Sequence, residues 1–151
     1  MRLRRSARVL LFDAQDNIFL IRFTAELDGK PFIFWVTPGG EVELLEDDHT
    51  AASRELLEEV GLSLPLIGPV LENTGGTYTH LGETVRNYDV YFAAWCEHDA
   101  PKLSGVTADE IRLMTEARWW SLEELASSTE RVFPEQLAGL ARQVLAERKP
   151  A

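Results

Sequence analysis

The stretch "GGEVELLEDDHTAASRELLEEVGL", residues 39–62, decides how the rest of the chain is read. It opens on a glycine pair, passes through polar loop composition and settles into helical spacing. From about Asp47 to Val60, projection at 100° per residue places His49, Ser53, Leu56 and Val60 on one side, flanked by Ala52 and Leu57. Glu55, Glu58 and Glu59 fall opposite, joined by Asp48 and the small Ala51. Gly61 is the expected helix stop. The spacing therefore predicts one helix with a buried apolar side and a carboxylate cluster on the other.

Like charges crowded together need solvent or a cation. Between Gly40 and Leu62 stand eight acids and one base, Arg54, so −7 of the chain's net charge of −10 lies in this segment. Side chains at i, i+3 and i+4 are neighbours on a helix, and clustered carboxylate oxygens suit hard cations such as Mg²⁺ and Mn²⁺. A solvated acidic face is the ordinary explanation of "ELLEE" by itself. The glycine pair upstream shifts the balance, because a backbone without Cβ can approach a ligand closely and offer a carbonyl. The same negative field repels DNA, RNA and anionic membranes unless cations intervene.

At 151 residues the chain suits one compact domain spanning 1–151. Hydrophobic residues at 45% and charged residues at 26% fit a globular protein and exclude a low-complexity or disordered one. Cys96 is the sole cysteine, so no intramolecular disulfide forms. It lies in the apolar run "VYFAAWC" and reads as a small core residue, consistent with a reducing cytoplasm. The start "MRLRRSARVLLFDA" is basic, then apolar, but the run ends at Asp13 with no small-residue cleavage site, which argues against a signal peptide. No apolar segment reaches the length needed to span a bilayer.

"ARVLLFDA" and "IFLIRF" read as a hairpin around "QDN", and "FIFWV" as a third strand, with "TPGGEVE" breaking the pattern. "LPLIGPVLEN" and "RNYDVYFAAWCE" read as strands separated by the polar "TGGTYTHLGET". Thr107 and Glu110 have capping-box spacing. "ARWW" reads as a strand, followed by a helix capped by Ser121 with Glu124 at the third position, and Pro134 suits the first turn of a final helix. The expectation is an α/β (strictly α+β) fold, a mixed sheet with helices on both faces.

Gly40, five residues, Glu46, seven residues, Arg54-Glu55-Leu56, one residue, Glu58-Glu59, one residue, Gly61-Leu62: this run resembles the Nudix box, G-x5-E-x7-R-E-U-x-E-E-x-G-U with U aliphatic. Every fixed position agrees, a coincidence on the order of 10⁻¹⁰ per starting position at average residue frequencies. Pro38 and the late "WWSLEEL" also look like that family. The resemblance implies a Nudix-like α/β/α sandwich. It implies a hydrolase that uses Mg²⁺, with Mn²⁺ as substitute, to cut the phosphoanhydride of a small nucleotide or nucleoside diphosphate derivative. Carried over by position, Glu55, Glu58 and Glu59 would be metal ligands with the Gly39 carbonyl. Arg54 would orient the glutamates, and Glu46 would brace the loop to the helix. Leu45 departs from the pattern, since glycine is more usual there, and is expected to change the turn of the loop.

Outside the box, the resemblance makes Glu110 and Glu116 candidate general bases, although the capping box explains Glu110 equally well. Arg22, late in the second strand, could reach substrate phosphates, and Trp35 could stack on a base, although a core position is the commoner fate of such a tryptophan. Tyr78 and Arg86 are further candidate substrate contacts. His49 and His80 read as packing and surface residues. Competing readings are a catalytically silent nucleotide-binding or regulatory module, an RNA 5′-end pyrophosphohydrolase and an isoprenoid diphosphate isomerase. The complete set of glutamates opposes the first, the acidic surface opposes the second, and the third needs acid–base residues not found here. Downstream signatures for NADH, coenzyme A or ADP-ribose are not found. Substrate identity and oligomeric state stay open at this level.

Overall fold

The computed structural model describes residues 2–27, 29–80, 82–96 and 114–148. Its centre is β1 (Arg2–Phe12), whose apolar run "ARVLLF" is buried on both faces. Such a run belongs in the middle of a layered sheet. Ala7, Val9 and Leu11 face one core, and Leu10 and Phe12 the other. The expected hairpin leads into β2 (Ile18–Leu27). Its turn is built by Asp13, whose carboxylate accepts the backbone N–H of Gln15 at 2.9 Å and of Asn17 at 2.8 Å. Asp16 takes the left-handed conformation there, φ 61°.

β3 (Lys30–Val36) pairs antiparallel with β2. The glycines then depart from expectation. Instead of a plain loop, Gly39–Glu41 form a short strand, β4, paired antiparallel with β1 through Ser6↔Glu41, Ala7↔Gly40 and Arg8↔Gly39. The partners lie more than thirty residues apart, so no local signal marks them. β5 (Ile67–His80) and β6 (Glu83–Trp95) form a long antiparallel arm that runs through the segment read as a polar loop. β5 is an edge strand, which solvent bathes on one side, so polar composition is compatible with it. β6 runs parallel to β1 from Arg2↔Val85 to Phe12↔Trp95.

β7 (Met114–Trp120) pairs with β2, and β8 (Val132–Phe133) lies parallel to β3. β1 and β2 share the single partner pair Phe12↔Ile18. The sheet therefore consists of two half-sheets, β5-β6-β1-β4 and β7-β2-β3-β8, meeting at one rung.

Helix α1 (Asp48–Val60) covers one face. α2 (Leu122–Ser127) and α3 (Leu137–Arg148) cover the other, so helices flank both faces as expected. Local chemistry sets their ends. Asp47 caps α1 by accepting the Thr50 N–H at 2.7 Å, and Gly61 closes it at φ 73°. Ser121 and Glu124 form the expected capping box on α2. The last helix starts later than Pro134: Val132 and Phe133 join the sheet, and the Pro134 carbonyl accepts the Leu137 N–H at 3.1 Å to open α3. Thr107 and Glu110 lie outside the described residues. Among the described residues no helix is long and apolar enough to cross a membrane.

Two residues in the left-handed region make opposite tests. Leu45 sits at φ 68° and is almost wholly exposed, so its side chain adds strain without packing. Gly61 occupies the same region as a helix cap. Leu45→Gly is expected to stabilise the protein by up to about 1 kcal/mol, and Gly61→Ala to destabilise it by about 1 kcal/mol. Urea unfolding of the two variants checks both signs.

Candidate active site

The site is assembled where β4 lies against β1. The Val9 N–H donates to the Pro38 carbonyl at 2.9 Å, and the Val42 N–H to the Arg5 carbonyl at 2.9 Å. Bonded and non-bonded rungs alternate along an antiparallel pair, so the intervening Arg8–Gly39 pair is a non-bonded rung. The Gly39 backbone groups thus turn away from β1. Its N–H donates to Glu59 Oε1 at 3.1 Å. Gly39 has φ 151°, and a Cβ there would come within 2.7 Å of the Arg8 Cα. A Cβ on Gly40 would come within 2.6 Å of the Glu55 carboxylate. The glycine pair is therefore required twice, by the strand beneath it and by the carboxylates above it.

Glu59 is 8% exposed. This corrects the projected helix face. Glu59 lies seven residues, two turns, beyond buried Ala52, so both sit on the inner line together with Leu56. Ala51 is also inside, and Leu57 is more than half exposed. Burial pushes the Glu59 carboxyl up to about 8, and the neighbouring Glu55 carboxyl, hydrogen-bonded to it, pushes the same way. The positive charge of Arg8 and the Gly39 N–H oppose the rise. Two carboxyls forced together in a half-dry space share a proton or attract a cation.

Arg54 organises the remaining acids. Its Nε donates to Glu46 Oε2 at 2.8 Å and its Nη2 to Glu46 Oε1 at 2.9 Å, a two-pronged pair. Nη1 donates to Glu55 at 2.9 Å and to Glu58 at 3.2 Å, and Nη2 also reaches the Glu41 carbonyl at 3.2 Å. The guanidinium holds the Glu46 carboxyl below the usual range. Glu46 in turn accepts the Glu43 N–H at 3.0 Å. Loop, strand β4 and helix α1 are thereby tied to one cation. Glu58 is the most open of the helix glutamates, its side chain half exposed.

The structure gathers Gly39, Glu46, Arg54, Glu55, Glu58 and Glu59 into one cluster. Among the described residues no three acid, histidine or cysteine side chains already converge on a common metal position. The donors that fit a divalent ion are the Glu55–Glu59 pair, whose repulsion it would relieve, with the outward-turned Gly39 beside them. Of the two readings of Trp35, the structure takes the core one and not the stacking role: it is 2% exposed, edge-on to Trp120, and its Nε1 donates to Glu130 at 3.2 Å. Arg22 stands opposite Glu116 across β2 and β7. Arg86 is exposed and pairs with Leu3, five residues along β1 from Arg8, or roughly 16 Å at strand spacing. Tyr78 lies on the neighbouring rung, opposite Val85. Glu110 is outside the described residues.

Two residues escaped the sequence reading. Arg5 forms a two-pronged pair with Asp48, at 2.7 and 2.6 Å, and fastens the start of α1 to β1. Arg8 donates to the Thr37 carbonyl at 2.9 Å, with its Nε 3.9 Å from Asp89. The only signal for either was the basic composition of the first eight residues.

A family model for the NUDIX domain matches residues 2–143. Over 56 residues, 37% of this chain, the sequence is 48% identical to the m7GpppN-mRNA hydrolase NUDT17 of Danio rerio, and the matched stretch spans 18% of that relative's length. The crystal structure of the MutT protein from Methanosarcina mazei Go1 superimposes with TM-score 0.66 at 20% identity, covering 99% of this chain and 97% of that one. The NUDIX domain of Shewanella oneidensis NrtR, complexed with ADP ribose, gives TM-score 0.69 at 18% identity, covering 96% and 89%. These structural likenesses establish the fold.

The raised Glu59 carboxyl has a measurable sign. Folded Glu59 keeps its proton up to about pH 8, whereas an unfolded glutamate releases it near 4.5. The stability it contributes is fully present below pH 4.5 and is lost as pH rises towards 8, at no more than about 1.4 kcal/mol per pH unit. In EDTA, thermal unfolding of the wild type is expected to fall over this window relative to Glu59→Gln. Parallel pH profiles for the two proteins would contradict the assignment.

Proposed function

The chain belongs to the Nudix family, and from that premise we propose that it is a divalent-metal-dependent pyrophosphohydrolase acting on a nucleotide or nucleoside diphosphate derivative. The observation that carries this reading is the Glu55–Glu59 pair, with Glu59 buried and Glu55 partly so, lodged against Gly39 and Gly40. A phosphoanhydride resists water largely because its anionic oxygens repel a nucleophile. The residues proposed to hold Mg²⁺ or Mn²⁺ are Glu55, Glu59 and the Gly39 carbonyl, with Glu58 at the open edge. The ion would supply charge neutralisation and acidify water beside the phosphorus.

The chain's own contribution is order. Arg54 fixes the rotamers of Glu55 and Glu58 from one side, and Glu46 fixes Arg54 through two hydrogen bonds. Pre-set donors cost no reorganisation when charge develops, which is where such sites gain most of their rate. Glu116, exposed on β7, is the described candidate for a proton acceptor outside the box. The intact glutamate set argues against a silent regulatory module.

A second reading, hydrolysis at the capped 5′ end of an RNA, draws on the Danio rerio relative. The net charge of −10 weighs against it, because a polyanionic chain would meet an acidic surface.

Purified protein would be incubated with nucleoside triphosphates, dinucleoside polyphosphates, sugar nucleotides and a capped RNA, with Mg²⁺ or EDTA. Metal-dependent release of phosphate, pyrophosphate or nucleotide is expected from at least one small substrate. Glu59→Gln and Glu55→Gln should each lower kcat by a hundredfold or more. Turnover confined to the capped RNA selects the second reading, and no metal-dependent product across the panel rejects both.

A further inference from the structure

We propose that Arg8 is a positioning residue that sets the Thr37–Gly39 corner, and through it the Gly39 carbonyl and the Glu59 carboxylate, for the divalent ion. The inference rests on the pyrophosphohydrolase reading. Arg8 touches this corner in two ways. Its Nη1 donates to the Thr37 carbonyl at 2.9 Å, and its Cα and Cγ lie where a Gly39 side chain would otherwise be. The next residue, Val9, holds the Pro38 carbonyl. All three residues of the corner are thus fixed from β1, and Gly39 passes that position to Glu59 through its N–H.

Arg8 is itself held. Asp89 on β6 lies 3.9 Å from its Nε, and the Ser6 hydroxyl donates to the same carboxylate. The guanidinium is largely buried, with 18% of its side chain exposed, so it acts at low mobility and in reduced solvent screening. The resulting chain runs Ser6, Asp89, Arg8, Thr37, Gly39, Glu59, from β6 across β1 to α1. It reaches the site from the side opposite Arg54, which fixes Glu55 and Glu58 but makes no hydrogen bond to Glu59 among those described. Arg54 and Arg8 therefore divide the glutamates between them.

Arg8→Met keeps the aliphatic stem against Gly39 and removes the charge and the donor. Arg8→Lys keeps the charge without the fork. Three readouts separate positioning from mere support. Mn²⁺ binding without substrate, followed by electron paramagnetic resonance, is expected to weaken 10- to 100-fold in Arg8→Met. The Gly39 amide in metal-free protein should exchange with deuterium at least tenfold faster. For the substrate identified by the panel, kcat should fall tenfold or more at saturating metal while KM stays within about twofold. Arg8→Lys should recover less than half of the lost Mn²⁺ affinity, and added guanidinium should partly restore Arg8→Met.

If Mn²⁺ affinity, Gly39 exchange and kcat match the wild type, the proposal is overturned. It is equally overturned if KM alone rises, which would make Arg8 a phosphate contact. Should Arg8→Met fail to fold, Asp89→Asn is expected to move Mn²⁺ affinity and Gly39 exchange in the same direction by a smaller factor, and unchanged values there reject the idea. Wild-type turnover abolished by Glu59→Gln, with Arg8→Met unaffected, would sink this inference alone. A wild type that binds no Mn²⁺ would sink the underlying function.

Discussion

A carboxyl group drawn out of water next to a second carboxyl is the constraint around which this protein is arranged. Glu59 faces inward on α1 and meets Glu55. Removing an ionised carboxylate from water costs several kcal/mol even after relaxation, unless a proton or a counter-charge compensates. The compensating groups found nearby are few and specific: one backbone N–H from Gly39 and the field of Arg8. The remaining acids are satisfied elsewhere, by Arg54 and by solvent. The helix thus carries two populations of glutamate under different electrostatic conditions. One is neutralised by an arginine, and the other is left short of positive charge at the place where two glycines admit close approach.

Much of this was legible because it is local. The helix with its Asp47 and Gly61 ends, the Ser121–Glu124 box and the hairpin turn at "QDN" each depend on residues within four positions of one another, so the sequence contains the whole interaction, although only the structure shows Asp13 as the acceptor that builds the turn. The glycine pair was legible as a place of close approach, though the strand that it forms was not. That strand exists through the edge of β1, more than thirty residues away.

The inner face of α1 illustrates a finer limit. A helical projection fixes relative angles but not the direction of the core, and the larger apolar residues Leu56, Leu57 and Val60 drew the assumed core direction towards themselves. Leu56 and Val60 are buried as projected, but the inner face is centred further round, on the side of Ala51 and Ala52, whose small side chains let the helix approach β1 and carry Glu59 inside. Leu57 is left out in solvent. Similarly, the arginines of β1 looked like bulk basic charge. Only the fold shows that successive ones serve different partners, Arg5 to Asp48 at the helix start and Arg8 to the corner before Gly39. Side chains alternate across a strand, so such a row divides its duties by parity.

The single rung between the half-sheets has a mechanical meaning. β1 and β6 are laced through eleven consecutive partner pairs, whereas β1 and β2 share only Phe12↔Ile18. The chain itself crosses between the halves three times, at the turn after Phe12, at the Thr37–Pro38 corner and between β6 and β7. The acidic helix rides with one half, and the aromatic pair Phe23–Phe34 belongs to the other. What the ladder lacks at this junction the two cores supply: Val9 and Leu11 share one with Phe19 and Ile21, and Leu10 and Phe12 share the other with Trp35 and Trp120, so side-chain packing rather than strand pairing joins the charged half to the aromatic half.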